Sequence, residues 1–217
     1  MSIAFFDLDR TLLATNSATG WIRRELRLGH LGRIDALKAA GWVGLYQLGV
    51  GAMEDTIRRA VAGFAGVDEA EIIKRTQAFW EEEVQHQLRP GARAVVEGHR
   101  DLGDHLVMLT SSSPYLSAPA AAAFGIDEVL CNHFVVQDGR FTGQTVEPLC
   151  YGDGKLFHAL ASATARGVDL QDCSFYTDSW SDVSVMDKVG RPVAVHPDQR
   201  LLRYARKKGW EIADWGG

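Results

Sequence analysis

The feature that most constrains this chain is an apolar segment, Ile3–Phe6, that runs directly into two acids, Asp7 and Asp9. So short an apolar run indicates a buried strand. Side chains at alternate positions of a strand share one face, so we expect both carboxylates to reach one small volume beyond the carboxyl end of that strand. Two crowded carboxylates repel unless a shared proton or a cation neutralises them, and a hard divalent cation with oxygen ligands suits the pair. The alternative is that the two acids only end the strand and cap the segment after it.

Length and composition restrict the class of protein. The chain has 217 residues, 46% of them hydrophobic, which suits one α/β domain or a core domain with a modest insertion. The net charge is −5 and the 23 basic residues are scattered, so nucleic acid and membranes are not expected partners. No apolar run reaches the roughly 18 residues of a membrane span, and the first residues lack the basic region of a signal peptide. Three widely spaced cysteines fit reduced thiols in the cytoplasm: Cys131, Cys150 and Cys173.

Two patterns follow the first strand. From about residue 17 to 87, apolar residues recur at helical spacing without a convincing strand. Helices are expected over 21–28, 31–48 and 53–64, and after an Asp68 N-cap with Glu71 as its capping-box partner. Beyond Pro90, short apolar strands alternate with helical segments as far as residue 208, and Asp138-Gly139 marks a hairpin.

The alternation of strands and helices predicts an α/β fold with a doubly wound parallel sheet. Residues 1–15 and 89–217 are expected to form this core, and residues 16–88 an inserted helical cap domain. Sheets of this kind bind ligands beyond the carboxyl ends of their strands, where the winding direction switches. The two acids of the first strand would lie at that edge.

Three further polar groups occur at predicted strand ends or helix starts. Ser111 and Ser112 follow the strand predicted over 105–110 and offer hydroxyl and N–H donors to an anion, although a serine-rich helix cap explains them equally well. Lys155 opens a helix, where the dipole disfavours a cation unless an anion is bound; an ordinary solvated lysine is the alternative. Asp178 and Asp182 lie at a strand–helix junction, where the second acid could ligate a metal or orient its ligands, or both could simply cap.

Taken in order, these segments resemble the four motifs of the haloacid dehalogenase-like hydrolase superfamily, specifically its phosphoserine phosphatase-like branch. The stretch FFDLDRTLL resembles the first motif, Asp-x-Asp-x-Thr. The strand ending in Ser111 is similar to the second motif, with Thr110 as the competing alignment. Gly-x-Gly-Lys155 resembles the third motif, and the acids at 178 and 182 resemble the fourth. The resemblance spans nearly the whole chain.

The resemblance implies a Mg²⁺-dependent phosphomonoesterase that acts through an aspartyl phosphate. Asp7 is expected to attack phosphorus, and Asp9 to protonate the leaving oxygen and then to activate water. The metal is expected on the carboxylates of Asp7 and Asp178 and on the backbone carbonyl of Asp9, with Asp182 as a ligand or an orienting group. The phosphate site is expected to comprise Thr11, Ser111, Ser112 and Lys155, with Thr11 orienting the loop or Asp9.

Two departures leave the substrate open. Ser181 stands where many phosphoserine phosphatases carry Asn, and Asn16 stands where they carry a Glu for the serine amino group. An uncharged amide is a weaker partner for an ammonium, so we expect a small phosphorylated metabolite and not strictly phosphoserine. The aromatic residues Trp21, Trp42 and Tyr46 could line a leaving-group pocket or form the core of the helical insertion. The arginines of the insertion could contact an anionic substrate or water: Arg23, Arg24, Arg27, Arg58 and Arg59.

Two other functions remain open. A phosphotransferase or phosphomutase would keep the same four motifs. A non-catalytic protein could use the same cleft to bind phosphometabolites. The sequence carries no indication of the oligomeric state.

Overall fold

The computed structural model describes residues 2–30, 32 and 53–216. The helix predicted over 31–48, with Trp42 and Tyr46, lies outside the described residues. The main sheet has six parallel strands: β1 (Ile3–Phe6), β2 (His105–Leu109), β3 (Glu128–Leu130), β6 (Ser174–Thr177), β7 (Arg191–Val195) and β8 (Glu211–Ala213). Their order across the sheet is β3-β2-β1-β6-β7-β8. A separate antiparallel hairpin pairs β4 (Phe134–Gln137) with β5 (Arg140–Thr145). The predicted fold class is confirmed, and β8 is an edge strand that the sequence did not predict.

Several of the described helices begin or end at residues with identifiable capping chemistry. The insertion carries α1 (Ser17–Arg27), α2 (Met53–Ala62) and α3 (Glu69–Phe79), and the core carries α4 (Pro90–Asp101), α5 (Pro114–Phe124), α6 (Asp153–Ala165), α7 (Val183–Met186) and α8 (Gln199–Lys208). Prolines open α4 and α5, and left-handed glycines follow α5 and α8. Asp68 caps α3 through the Ala70 N–H, while Glu71 pairs with Arg75 instead of completing a capping box. The helix after Asp182, α7, has only four residues, and a 3₁₀ turn over Trp180–Asp182 precedes it.

Successive residues of β1 face opposite sides of the sheet, and both sides are covered. Ala4 and Phe6 face a core that includes residues of α4 and α5. Ile3 and Phe5 face a second core that includes residues of α6, α7 and α8. Burial on both faces explains why β1 reads as a continuous apolar run instead of an alternating one.

The winding of the sheet switches beside β1. The chain proceeds outward from β1 to β3, and then crosses to β6 on the other side of β1. The Asp7 N–H extends the pairing with β6 by donating to the Tyr176 carbonyl at 2.9 Å. The carboxyl ends of β1 and β6 therefore meet at the switch point, where ligands bind in sheets of this class.

The insertion leaves the core and returns to it at one place. The Ala14 N–H donates to the Gln87 carbonyl (2.8 Å), and the Arg89 N–H donates to the Leu12 carbonyl (2.9 Å). A second contact joins the segment before α3 to the β4–β5 hairpin, where the Gly66 N–H donates to the Phe141 carbonyl at 2.8 Å. The division into residues 1–15 and 89–217 against 16–88 remains a prediction, and these contacts are compatible with it. No helix in the described ranges is both long and apolar enough to cross a bilayer.

Candidate active site

The first two acids are joined by a tight turn and not by a continued strand. β1 ends at Phe6, and the Leu13 N–H closes the turn on the Leu8 carbonyl at 2.9 Å. The expectation that Asp7 and Asp9 alternate along a strand is therefore wrong in its geometry, because Asp9 lies inside this turn. The two acids are still neighbours: burial is the main cause of the raised pKa of Asp7, and the charge of Asp9 adds to it. The Asp9 Oδ1 atom accepts the Ser17 N–H at 2.8 Å, which ties the turn to the start of α1.

Lys155 is a buried cation that contacts two acids of the site. Its Nζ donates to Asp7 Oδ1 and to Asp182 Oδ2, each at 2.8 Å, and the residue is only 2% exposed. Burial opposes its charge, yet Asp182 and Asp7 together hold the pKa of the ammonium above its usual range. The alternative of an ordinary solvated lysine is thus excluded.

The acids opposite Lys155 are desolvated. Burial raises the pKa of Asp7 to about 7 against the opposing charge of Lys155. Burial, followed by the charges of Asp7 and Asp182, raises the pKa of Asp178 to about 8. Burial also raises the pKa of Asp9, although the Ser17 N–H opposes it. No donor in the described parts of the chain bonds to the Asp178 carboxylate, so this acid is both buried and unpaired.

Asp182 has both carboxylate oxygens occupied. Its Oδ2 accepts from Lys155 and from the Thr177 hydroxyl (2.6 Å), and its Oδ1 accepts from the Ser181 hydroxyl (3.2 Å). This arrangement places Asp182 to hold Lys155, and its expected role as a metal ligand or as a group that orients the metal stays a prediction. Ser181 thereby supplies a hydrogen bond to the acid.

The two hydroxyls that competed for the second motif differ in exposure. Thr110 is buried, and its Oγ1 accepts the Ser112 N–H at 3.2 Å. Ser111 is partly exposed, and its Oγ donates to the Cys150 carbonyl at 2.9 Å. Ser111 is therefore the hydroxyl that is open at the edge. Thr11 is fully buried and its Oγ1 has no partner among the described atoms, so a phosphate contact through it stays a prediction.

Asn132, just after β3, is a residue that sequence reasoning missed. It is 2% exposed, its Nδ2 donates to the Ser111 carbonyl, and its Oδ1 accepts the Cys150 N–H, both at 2.7 Å. It thus joins the serine segment to the loop that precedes Lys155. A single asparagine in a loop gives no periodic signal that would have identified it.

The donor set suits a magnesium ion. Over residues 2–30, 32 and 53–216, no three acidic, histidine or cysteine side chains form a ready cage for a metal. Mg²⁺ is usually bound by one or two carboxylates together with water and substrate phosphate, so a full cage is not required. Asp178 supplies an unpaired carboxylate, and Asp7 uses only its Oδ1 on Lys155. The residues present therefore fit a divalent cation between Asp7 and Asp178.

Several polar and aromatic residues of the insertion make contacts within the protein, whereas Arg23 is exposed. Trp21 packs edge-on against Phe79, with ring centroids 5.7 Å apart, as expected of bundle core. The Asn16 side chain accepts from the Thr19 N–H (2.9 Å) and hydroxyl (2.8 Å) and so caps α1. Arg24 is buried against Glu82 (2.7 Å). The remaining ion pairs include Arg24 and Arg27 with Glu83, and Arg58 with Asp55 and Glu147.

Comparison with known proteins decides the family. The profile of the haloacid dehalogenase-like hydrolases matches residues 4–187. This chain belongs to that family. Phosphoserine phosphatase SerB1 of Mycobacterium tuberculosis is 31% identical over 98% of this chain and 70% of its own length. Histidinol-phosphatase of Neisseria meningitidis serogroup C is 27% identical over 99% of both chains.

A solved structure shares the fold of this chain. A protein of unknown function from Bordetella pertussis Tohama I superposes with a TM-score of 0.91 at 28% identity, over 99% of each chain. The resemblance inferred from the four motifs is confirmed, and so is the enzyme class, a phosphatase of the haloacid dehalogenase-like family.

Proposed function

We propose that this haloacid dehalogenase-like phosphatase hydrolyses a small phosphomonoester through an aspartyl phosphate on Asp7, with Mg²⁺ as cofactor. The observation that supports it most is the buried bridge of Lys155 Nζ to Asp7 Oδ1 and Asp182 Oδ2, at 2.8 Å each. A cation that holds the nucleophile and is itself held by a second acid can also receive a phosphoryl oxygen. Phosphoryl transfer depends mainly on such positioning and charge neutralisation.

The proposed reaction has two steps. In the first, Asp7 attacks phosphorus while Asp9 gives its proton to the departing alkoxide. Burial raises the pKa of Asp9, which helps it to carry that proton. In the second, Asp9 takes a proton from water, and the hydroxide displaces phosphate from Asp7. The Lys155 ammonium, the Ser111 hydroxyl and the Ser112 N–H hold the phosphoryl oxygens during both steps.

Asp7, Asp178 and the backbone carbonyl of Asp9 would hold the magnesium ion. Bound there, the cation shields the approach of the anionic carboxylate to the anionic phosphate. The Ser111 hydroxyl would exchange the Cys150 carbonyl, its present acceptor, for a phosphoryl oxygen. Asp182 would hold Lys155 in place through both events.

The substrate class that we propose is a phosphate ester of an amino alcohol. The two relatives described above are named for phosphoserine and for histidinol phosphate, which share this group. Asn16 uses its side-chain oxygen to cap α1, which makes it a poor partner for the ammonium of phosphoserine.

We also propose a cytoplasmic location. The three cysteines are buried and form no disulfides, which suits a reducing compartment.

The decisive experiment measures phosphate release from p-nitrophenyl phosphate with and without Mg²⁺. The wild type should turn over only with the metal, and Asp7→Asn should lose activity. Asp101→Asn, which changes an exposed acid at the end of α4, serves as the control and should keep it. Wild-type release no faster than that of Asp7→Asn would favour a non-catalytic phosphometabolite-binding protein.

A panel of amino-alcohol, sugar and aromatic phosphates then identifies the substrate class through kcat/KM. Free phosphate is the product expected. Transfer to a second alcohol without phosphate release would identify a phosphotransferase or phosphomutase instead.

A further inference from the structure

We infer that Asn132 is a positioning residue that sets the spacing between Ser111 and Lys155, the two side chains that would hold the phosphoryl oxygens. The inference rests on the proposed function and adds to it a residue outside the four motifs. Asn132 does not touch the substrate in this account. It acts through the backbone of two loops that converge on the site.

The Asn132 amide is used at both ends. Its Nδ2 donates to the Ser111 carbonyl and its Oδ1 accepts from the Cys150 N–H, both at 2.7 Å. Its backbone N–H donates to the Ser112 carbonyl at 3.0 Å. The Ser111 hydroxyl closes the ring by donating to the Cys150 carbonyl at 2.9 Å. One buried side chain thus fixes two segments far apart in sequence.

The position of Cys150 is transmitted to Lys155 by a compact loop. The Gly154 N–H donates to the Tyr151 carbonyl (2.9 Å), and the Lys155 N–H donates to the Gly152 carbonyl (3.1 Å). A Cβ on Gly154 would lie 1.8 Å from the Leu149 carbonyl oxygen, so the loop has no room to adjust. A shift at Cys150 therefore moves the lysine away from its two acceptors.

The chemistry of the position calls for an amide. A donor is required toward the Ser111 carbonyl and an acceptor toward the Cys150 N–H, and asparagine carries both on one short planar group. Aspartate keeps the acceptor but sets a charged oxygen against a carbonyl. Leucine, of similar size, loses both bonds and leaves the buried Cys150 N–H unpaired.

The test compares Asn132→Leu and Asn132→Asp, each alone and combined with Ser111→Ala. Val96→Ala, a truncation in the core between the sheet and α4, serves as a control for lost stability. Three quantities are measured for each protein: kcat/KM with p-nitrophenyl phosphate and with an alkyl phosphate, the Kd of inorganic phosphate with Mg²⁺ by calorimetry, and unfolding in urea.

We expect Asn132→Leu to lower kcat/KM about 30-fold for both esters, because the phosphoryl group is common to them. Phosphate binding should weaken in parallel. In the Ser111→Ala background, Asn132→Leu should lower kcat/KM by less than about fivefold, because one of the two side chains that Asn132 positions is already absent. Val96→Ala should lose stability yet keep kcat/KM within about twofold below its unfolding transition. The kcat/KM of Asn132→Asp should lie between those of the wild type and Asn132→Leu. If Asn132→Leu does not fold, Asn132→Asp is used in its place.

The positioning role would be overturned if Asn132→Leu lowered kcat/KM by the same factor with and without the Ser111 hydroxyl. It would also be overturned if Val96→Ala lowered kcat/KM as much as Asn132→Leu does. A wild type that binds phosphate but does not hydrolyse esters would refute the proposed function alone, and the series of Kd values would still decide the role of Asn132. A wild type that neither hydrolyses esters nor binds phosphate would overturn both.

Discussion

Replacing Asp178 with asparagine should stabilise the metal-free protein at neutral pH. Asp178 is 7% exposed, and burial, followed by the charges of Asp7 and Asp182, raises the pKa of its carboxyl from 3.8 to about 8. The folded protein therefore holds this proton up to about pH 8, whereas the unfolded chain releases it near pH 4. Stability is consequently lost as the pH rises between these two values, and asparagine removes that loss.

The magnitude follows from the same pKa values. At about pH 7 the unfolded carboxyl is roughly three pH units above its pKa, and each unit corresponds to about 1.4 kcal/mol. The upper limit is therefore about 4 kcal/mol. Water entry and side-chain movement lower it, and we expect a gain of about 2 kcal/mol. For a chain of this length, such a gain raises Tm by roughly 4–8 °C.

The assay is urea unfolding in EDTA between about pH 4 and pH 8. The advantage of Asp178→Asn over the wild type should grow with pH and vanish near pH 4, while Asp101→Asn should follow the wild type throughout. Added Mg²⁺ should stabilise the wild type and not Asp178→Asn, because the variant lacks a proposed ligand. A variant no more stable than the wild type near pH 8, or an advantage independent of pH, would refute the reasoning.

Three further changes test other parts of the site. Lys155→Met should lower kcat for p-nitrophenyl phosphate by a factor of about 10³, because Asp7 and Asp182 lose their shared cation; activity within tenfold of the wild type would contradict this. Gly154→Ala should destabilise the protein by about 2 kcal/mol or more in urea unfolding, since the new Cβ meets the Leu149 carbonyl, whereas Gly98→Ala, in open space on α4, should be neutral or stabilising. Asn16→Glu should raise kcat/KM for phosphoserine about tenfold relative to sugar phosphates, which carry no ammonium, and should lower stability by about 1 kcal/mol through the lost cap of α1; an unchanged ratio would show that this position does not contact the ammonium.

Much of the core could be predicted from local patterns. The strands β1, β2 and β6 are short and buried on both faces, so almost all of their residues are apolar. Such a continuous apolar run is visible in the sequence. The Asp138-Gly139 dipeptide predicted the β4–β5 hairpin, and these two residues lie between the paired residues Gln137 and Arg140. Strand β8 was missed because it has three residues, lies at the edge and is half-exposed, so no periodic pattern marks it.

The candidate site could be predicted residue by residue but not in its contacts. The motifs named Asp7, Lys155 and Asp182, yet nothing in the sequence states that the lysine bridges the two acids. The turn that carries Asp9 depends on a positive φ of 59° at Arg10. Arginine has no preference for positive φ, so the sequence gives no sign of this turn. Asn132 bonds to backbone groups of two remote loops, and such tertiary contacts leave no local signal.

The pairing of Leu13 with Leu88 has a consequence for how such an enzyme can change its substrate. Because the two ends of the insertion are already neighbours, a different inserted domain, or lid, could replace residues 16–88 without a change in the path of the core. The exchange is not entirely free, since the lid donates the Ser17 N–H that steadies Asp9. Any replacement must therefore begin with a helix whose first amide points at that carboxylate. If Asp9 transfers the proton as proposed, this one hydrogen bond links the choice of substrate to that step.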